Sequence, residues 1–506
     1  MTFLEVLHGA EVLAQQGNPS IRGIEYDSRQ VKPGSVFVAM RGESSDGNRF
    51  IDQAIAAGAV AIVTDSADEK RREGVAWAQV PRGRPALARL SANFYKRPAE
   101  RLAVTGITGT NGKSTTAFLV EAILAAAGHK SALVGTIEYH VAGKILPAPH
   151  TTPEPLELNR IFADALGQGA TDAVMEVSSH ALAQQRVFGI PFDVAVFTNL
   201  TRDHLDYHHT MDEYFASKRV LFEGCGTEPP RAAVVNADDA YGQQLIGVAR
   251  KRGTALATYG LTKGDYRATK AEITSNGTRF DLVTPDETIA VFSPLIGRVN
   301  VYNALAAAAA AAARGCDHEA MAAGIGALTR VPGRFERVDC RQPFTVVVDY
   351  AHTDDALRNL TALAREFVQR AGQKGRVITV FGCGGDRDRA KRPLMGEAAG
   401  RGSDFVVLTS DNPRSEDPLA IINDAVVGLQ RSGVKYMKEP DRRAAISLAV
   451  REAGPGDIVL LAGKGHEKVQ VTRAGAIPFD DVEVAKEILA EAGYDCHAQA
   501  AAGKHP

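Results

Sequence analysis

A chain of 506 residues, 45% apolar and 23% charged, has material for about three domains, each with its own core. A formal net charge of -2 speaks against a general nucleic-acid binder. No apolar stretch has the length of a membrane span, since the alanine run 304–313 is too short, and residues 1–5 lack a basic signal-peptide start. Five cysteines at 225, 316, 340, 383 and 496 form no CxxC pair, which argues against a disulfide framework or a zinc site and fits a reducing cytoplasm.

Residues 1–97 read as a small α/β domain. A strand at 36–40 leads into a polar loop at 41–48, then a helix at 50–57 and a second strand at 59–63. Tyr26-Asp27-Ser28-Arg29 reads as a polar turn. Arg97-Pro98 marks a boundary.

From 98 to 332 strands alternate with helices. The apolar run 102–107 is a strand and 116–127 a helix. Between them lies Gly106-Ile107-Thr108-Gly109-Thr110-Asn111-Gly112-Lys113-Ser114-Thr115. Strand, glycine loop and helix N-terminus make a phosphate cradle, with backbone N–H groups and the helix dipole turned toward an anion. Lys113 would reach the β- and γ-phosphates and the Ser114 hydroxyl a Mg²⁺ ion. The glycines fall at 106, 109 and 112, off the Walker A register. Runs at 132–136, 173–177, 194–198 and 232–236 read as buried parallel strands, each ending in polar residues. Ligands of doubly wound sheets bind at such ends. Three chemistry-bearing segments stand out: Glu176 to His180 with Gln184 and Arg186; Thr198 to Asp206 with His204; and Lys218 on the helix leading to Phe222. Glu176 and His204 are candidate metal ligands beside the phosphate loop. The stretch 254–292 reads as an antiparallel extension. Asn300 or Asn303 either caps the alanine-rich helix 304–313 or contacts a base or ribose.

The segment 333–506 repeats the pattern. Strands at 345–348, 377–381, 405–408 and 458–461 lead respectively into Asp349-Tyr350-Ala351-His352-Thr353, Gly382 to Asp388, Ser410-Asp411-Asn412-Pro413-Arg414 and Gly463-Lys464-Gly465-His466-Glu467. This is a second doubly wound sheet with a ligand edge rich in Arg, Asp and His. The tail 496–506 reads as frayed. The expected fold class is therefore α/β in three domains: a small N-terminal α/β domain (1–97), a central P-loop ATPase-like doubly wound domain (98–332) and a C-terminal Rossmann-like domain (333–506).

A nucleotide loop on one sheet and cationic loops on another suit a reaction between domains. Phosphoryl transfer from ATP to a carboxylate gives an acyl phosphate, which an amine can attack. Mg²⁺, Lys113 and arginines would neutralise the moving phosphoryl group.

The segments GITGTNGKST, EVSSHAL, NLTRDHLDYH, GRVNVYNALAA, GRFE, DYAHT, GCGGDRDRAKRP, DNPR and GKGHE, in this order from about 22 to 485, resemble the Mur ligases. The resemblance implies a three-domain ATP-dependent amide ligase of cytoplasmic peptidoglycan synthesis, with Mg²⁺ as cofactor. The γ-carboxylate of D-glutamate in UDP-N-acetylmuramoyl-L-alanyl-D-glutamate would be phosphorylated and joined to an amino acid, releasing ADP and phosphate. Small molecules are the implied partners, and a monomer is expected. By match to family motifs, Gly109, Thr110, Asn111, Gly112, Lys113, Ser114 and Thr115 hold ATP, with Asn300, Arg334 and Asp349 on the nucleotide side. Ser114, Glu176, His204 and Lys218 surround the metal, Lys218 as a carbamate. Lys113, Glu176, His204 and Lys218 form the catalytic set. Tyr26, Ser28, Glu43, Ser44, Ser45, His150, Thr151, Thr152, Ser178, Gln184 and Arg186 match positions holding the UDP-muramoyl dipeptide. His150 stands where relatives often carry Asn, and Asp354 where a proline is common.

The amine substrate follows from charge. Lysine and meso-diaminopimelate differ by one distal carboxylate, and arginine binds a carboxylate bidentately. Asp411, Asn412, Pro413 and Arg414 supply that donor, with Arg387, Gly463 and Glu467 as companions. In the family the DNPR form goes with diaminopimelate. The competing readings are a lysine-adding version, a folylpolyglutamate synthetase-like ligase, and a non-catalytic nucleotide-gated binding protein.

Overall fold

The structure, a computed structural model, describes residues 1–42, 45–67, 71–141, 143–274, 276–370 and 375–496. Glu43, Ser44 and the tail 497–506, for which the sequence raised expectations, lie outside the described residues.

Three α/β sheets follow one another along the chain. The first has five strands in the order Ala14–Gln16, Ala76–Gln79, Ala61–Thr64, Ser35–Ala39, Gly23–Glu25. Val36, Phe37, Val38 and Ala39 are fully buried, because helices cover both faces of this parallel centre. The turn expected at 26–29 is a short 3₁₀ helix, Ser28–Gln30, started by Asp27 accepting from the Arg29 N–H.

The central sheet has eleven strands. Its parallel middle runs Ala255–Gly260, Ala232–Asn236, Phe192–Phe197, Ala103–Thr108, Asp172–Glu176, Ser131–Val134. The strand that feeds the phosphate loop thus sits between the strand ending in Glu176 and the strand leading to Thr198 and His204. The stretch 254–292 is only partly the antiparallel extension expected. Ala255–Gly260 and Tyr266–Thr274 join parallel, and only Gly277–Val283 and Thr288–Ser293 turn back. A hairpin, Glu138–Val141 and Lys144–Pro147, closes the other edge.

The alanine-rich helix is longer than the alanine run and spans Arg298–Ala313, with Gly297 as N-cap. Asn300 and Asn303 therefore lie within it and cap nothing. Ala306 to Ala311 are completely buried, as expected of a helix apolar all round, and their small side chains let it approach the helix Lys113–Ala126.

The C-terminal sheet has six strands, in the order Glu336–Val338, Thr345–Asp349, Ile458–Ala462, Val377–Phe381, Phe405–Leu408, Lys435–Lys438. All but the first are parallel, so their carboxyl ends share one edge. Contrary to the cysteine reading, Cys340 and Cys496 form a disulfide. A sequence separation of 156 carries no trace of a pair that meets only when the last helix, Asp481–Glu491, folds back. Among the described residues no helix is long and apolar enough to cross a membrane.

His140 on the edge hairpin gives this part of the fold a pH dependence. Its ring nitrogens bond Glu121 at 2.8 Å and Glu138 at 2.9 Å. Burial lowers its pKa, but the two carboxylates outweigh burial and raise it to about 9. The contribution to stability is complete below the ordinary histidine pKa and is lost as pH rises through about 9. His140→Gln is expected to lower the melting temperature by ~2–4 °C at pH 6, with the gap closing by pH 10 in thermal melts of both proteins. A constant gap across that range would refute the assignment.

Candidate active site

The phosphate loop is braced by the neighbouring strand end. Thr110 N and Asn111 N donate to the backbone and side-chain oxygens of Asn199, and the Thr198 hydroxyl donates to Asn111 O at 2.7 Å. Gly109 and Gly112 take positive φ values of 146° and 88°. A side chain at 109 would strike Thr198, and one at 112 would strike the Asn303 amide. The helix starts at Lys113, three residues before the sequence pattern suggested, so Ser114 and Thr115 are buried in its first turn.

Two lysines converge on one carbonyl. Lys113 Nζ donates to Gly109 O at 3.0 Å, and Lys218 Nζ donates to the same oxygen at 2.9 Å. Lys218 is buried on the helix Met211–Glu223, above the Tyr214 ring. Burial, and then the charge of Lys113, hold its ammonium well below the usual lysine range. Glu176 is also buried, and its two oxygens accept from Thr136 N at 2.7 Å and Thr136 Oγ1 at 3.0 Å. Burial pushes His204 down to about 3, leaving a neutral imidazole, the form that ligates metals. Its ring packs against His180 and Tyr214.

The C-terminal unit reaches this loop directly. Arg334 Nη2 donates to Ser114 Oγ at 3.2 Å, and Asn111 Nδ2 donates to Asp355 Oδ2 at 3.0 Å. Asp349 accepts from Phe335 N and Ala351 N, which fixes the turn carrying Arg334. Asp203 lies within 3.6 Å of His352 and 3.5 Å of Lys391. Burial alone would raise its carboxyl, but His204, His352 and Lys391 hold it well below the usual range. Thr353 accepts from Ala356 N, and Asp354 begins the helix Asp354–Arg370. The Thr353 hydroxyl thus caps this helix.

A second cluster gathers the residues matched to the dipeptide substrate. Arg186 donates to Thr152 O at 3.0 Å and to Gln184 Oε1 at 2.7 Å. The Thr152 hydroxyl donates to Glu176 O and accepts from Ser178 N. Thr151 Oγ1 lies 3.0 Å from Thr136 Oγ1. Tyr139 donates its hydroxyl to His150 O. The N-terminal unit joins through Arg84 to Glu154, at 3.1 Å, and through Tyr26 to Glu157, at 3.2 Å. Ser28 bonds Gln53 inside its own unit, and Ser45 is exposed.

The third cluster sits on the C-terminal sheet edge. Asn412 donates to Glu467 at 2.8 Å and accepts from Lys464 at 3.2 Å. Asp411 and Pro413 are buried, and Gly463, at φ 113°, lies against the Asp411 carboxyl. Arg414 adopts a left-handed backbone and donates from Nη1 to Gly385 O at 2.8 Å. Its Nε and Nη2 make no hydrogen bond among the described residues. Burial and the nearby Arg387 both disfavour its charge, and an incoming anion relieves this. Arg387 itself is exposed.

Two candidates are placed differently from the sequence reading. Asn300 donates its amide to Ile296 O, just before the helix, and accepts from Asn303 Nδ2 within it, while Asn303 packs against Gly112. Residues missed as functional include Thr136, Asp203, Asp355, Lys391 and Lys464. Asp203, Lys391 and Lys464 stood inside recognised motifs, but the contacts of Asp203 with His352 and Lys391, and of Lys464 with Asn412, join remote segments.

Among the described residues no three His, Cys, Asp or Glu side chains are arranged to hold a metal ion alone. Mg²⁺ commonly takes one or two protein groups together with substrate phosphates, and an oriented carboxylate beside a phosphate loop meets that need.

A phosphate loop facing a second, cationic sheet defines a nucleotide-dependent ligase. Family models match the chain at 20–95 (Mur ligase family, catalytic domain), 107–311 (Mur ligase middle domain) and 333–465 (Mur ligase, glutamate ligase domain). The chain belongs to the Mur ligase family. It is 55% identical over 475 residues to the UDP-N-acetylmuramoyl-L-alanyl-D-glutamate–2,6-diaminopimelate ligase of Solibacter usitatus, covering 94% of each chain. A solved structure of a ligase of the same name superposes with a TM-score of 0.67 at 35% identity, covering 98% of this chain and 99% of that one. The MurF ligase of Thermotoga maritima in complex with ADP shares the fold, with a TM-score of 0.63 at 19% identity, over 93% and 97% of the two chains.

Proposed function

We propose that this chain joins meso-diaminopimelate to the D-glutamate γ-carboxylate of UDP-N-acetylmuramoyl-L-alanyl-D-glutamate, with conversion of ATP to ADP and phosphate. It works as a monomer in the cytoplasm. The observation that carries the reading is the contact between the phosphate loop and the C-terminal sheet edge. Arg334 and Asp355 of the C-terminal unit bond the phosphate loop, and the Asp411–Arg414 and Gly463–Glu467 loops lie on that same sheet edge.

Each group has a task that its surroundings support. The loop Gly109–Thr115, whose Thr110 and Asn111 N–H groups brace it on Asn199, turns its other N–H groups and the Lys113 ammonium to the ATP phosphates, and Arg334 and Asp349 shape the nucleotide side with Asn300 and Asn303 behind the loop. Ser114 and Glu176 supply oxygen donors for Mg²⁺ and His204 a neutral nitrogen. Bound there, the metal would neutralise charge on the transferring phosphoryl group. Two lysines on one carbonyl oppose a doubly charged state, so Lys218 reacts as a free amine with CO₂. The ammonium first gives up one proton; the amine nitrogen then bonds the carbon of CO₂ and loses a second proton, so that the cation becomes an anion suited to a second Mg²⁺.

Arg186, Gln184, Ser178, Thr152 and Thr151 hold the dipeptide so that its γ-carboxylate meets the phosphoryl group. His150, Tyr26, Ser28 and Ser45 extend that site, and Glu43 and Ser44 are assigned to it by motif alone. The amine then attacks the acyl carbon, an amide bond forms, and inorganic phosphate leaves. Arg414 and Arg387 bind the distal carboxylate of diaminopimelate, while Asp411, Asn412, Pro413, Gly463 and Glu467 shape its pocket. The reacting amine must arrive unprotonated.

The test is ADP release by the purified protein with UDP-muramoyl dipeptide plus meso-diaminopimelate, with the same dipeptide plus lysine, and with folate plus glutamate. Turnover is expected with the first pair alone and is expected to stop on chelation of Mg²⁺. Preference for lysine, or release with the folate pair, would overturn the assignment.

A further inference from the structure

A fully buried ion pair lies behind the amino-acid loops. Arg442 begins the helix Arg442–Glu452 and Asp481 begins the helix Asp481–Glu491, and both side chains have no solvent exposure. The guanidinium meets the carboxylate as a fork, Nε to Oδ1 at 2.8 Å and Nη2 to Oδ2 at 2.6 Å. Two further N–H groups go to carbonyls, Nη2 to Ala462 O at 3.1 Å and Nη1 to Ser410 O at 3.4 Å.

Those two carbonyls have a specific place. Ala462 ends the strand Ile458–Ala462 and precedes Gly463; Ser410 follows the strand Phe405–Leu408 and precedes Asp411. The strands are not neighbours, because Val377–Phe381 runs between them. No ladder hydrogen bond can therefore set one loop base against the other. Arg442 makes that connection from behind the sheet edge. A buried ion pair is poor value as a source of stability, since desolvating two charges offsets most of their attraction. A fork that orders two separate loop bases is a different use of the same groups.

We propose that Arg442, oriented by Asp481, is a positioning residue for the amine substrate: it sets the spacing between the Asp411–Arg414 loop and the Gly463–Glu467 loop, and so the selectivity for a distal carboxylate. This rests on the assignment of those loops to diaminopimelate. Asn412, Lys464 and Glu467 then close the contact between the loops in front. The pair touches neither the phosphate loop nor the dipeptide cluster, so its effect is confined to the amine.

The decisive variant is the double replacement Arg442→Met with Asp481→Leu. It removes both charges together and so avoids leaving one buried and unpaired, which is what makes single truncations destabilising. The folded double variant is expected to raise KM for diaminopimelate by about tenfold or more, as expected when a binding group shifts by a fraction of an ångström to one ångström. Its preference for diaminopimelate over lysine should fall in parallel. KM for ATP and for the UDP-dipeptide, and kcat at saturating diaminopimelate, should stay within about threefold of the parent. A purely structural role predicts the opposite split, with a smaller active fraction and lower kcat at unchanged KM. A double variant with parental KM and selectivity overturns the proposal. Arg442→Lys keeps the charge without the fork and is measured beside it. It should give an intermediate rise in KM, and parental kinetics there count against the proposal equally. Arg414→Ala in the same assay separates the two levels. If it leaves diaminopimelate KM unchanged, the assignment of the loops fails. If it raises that KM while the Arg442 variants do not, only the positioning role fails.

Discussion

Lys218→Ala is expected to lower kcat by roughly two to three orders of magnitude, the scale seen when a charge-stabilising group is removed from a reaction centre. The side chain is buried, shares the Gly109 carbonyl with Lys113, and among the described residues has no carboxylate hydrogen-bonded to it. As an ammonium it would be one cation too many. As a carbamate it would offer oxygens to a metal and offset Lys113. Short carboxylates such as formate or acetate, diffusing into the space that alanine leaves, are therefore expected to restore part of the rate. Truncating the buried side chain leaves a cavity that costs some stability, so the folded fraction is read separately in a thermal melt. Full activity in the mutant, or a loss of rate that no carboxylate rescues, would sink the carbamate role.

The second large effect is at Arg414. Arg414→Ala should raise KM for meso-diaminopimelate by about 100-fold while KM for ATP moves less than about twofold, because a site built around a charged partner discriminates strongly when that partner is lost. Arg414 is held by its left-handed backbone, by Arg414 N donating to Val471 O, and by Nη1 on Gly385 O. That leaves Nε and Nη2 as an unused bidentate edge. Arg414→Lys should recover little, since a lysine offers a point charge and no fork. Steady-state kinetics with each amine check this, and unchanged diaminopimelate kinetics in Arg414→Ala would remove the basis for the selectivity.

Much of this was legible in the chain. The glycine loop, the polar strand ends at Glu176, Thr198, Asp349 and Asp411, and the α/β alternation are local patterns, in which each residue's conformation depends on a few neighbours. The misreadings have a common cause. The alanine run concealed the true start of its helix at Arg298, because Val299 to Asn303 are also compatible with a helix. The strand Ala255–Gly260 carries no mark of its parallel partner. Cys340 and Cys496 meet across most of the C-terminal unit.

By itself the sequence carried the phosphate-loop pattern at Gly109–Thr115, an arginine-bearing loop on a second sheet, and the motif order of one ligase family. The tertiary structure alone decided how the groups support one another. It placed the phosphate-loop strand between the Glu176 and Thr198 strands, set Asn111 against Asp355 across 244 residues, and bound Asp203 to His352 and Lys391. It also put one guanidinium behind two loops that share no ladder. Hydrogen bonds between remote segments have no period and no fixed spacing, so they leave no pattern in the chain until the sheets assemble and bring them within 3 to 4 Å, as the ~3 Å reach of a hydrogen bond requires.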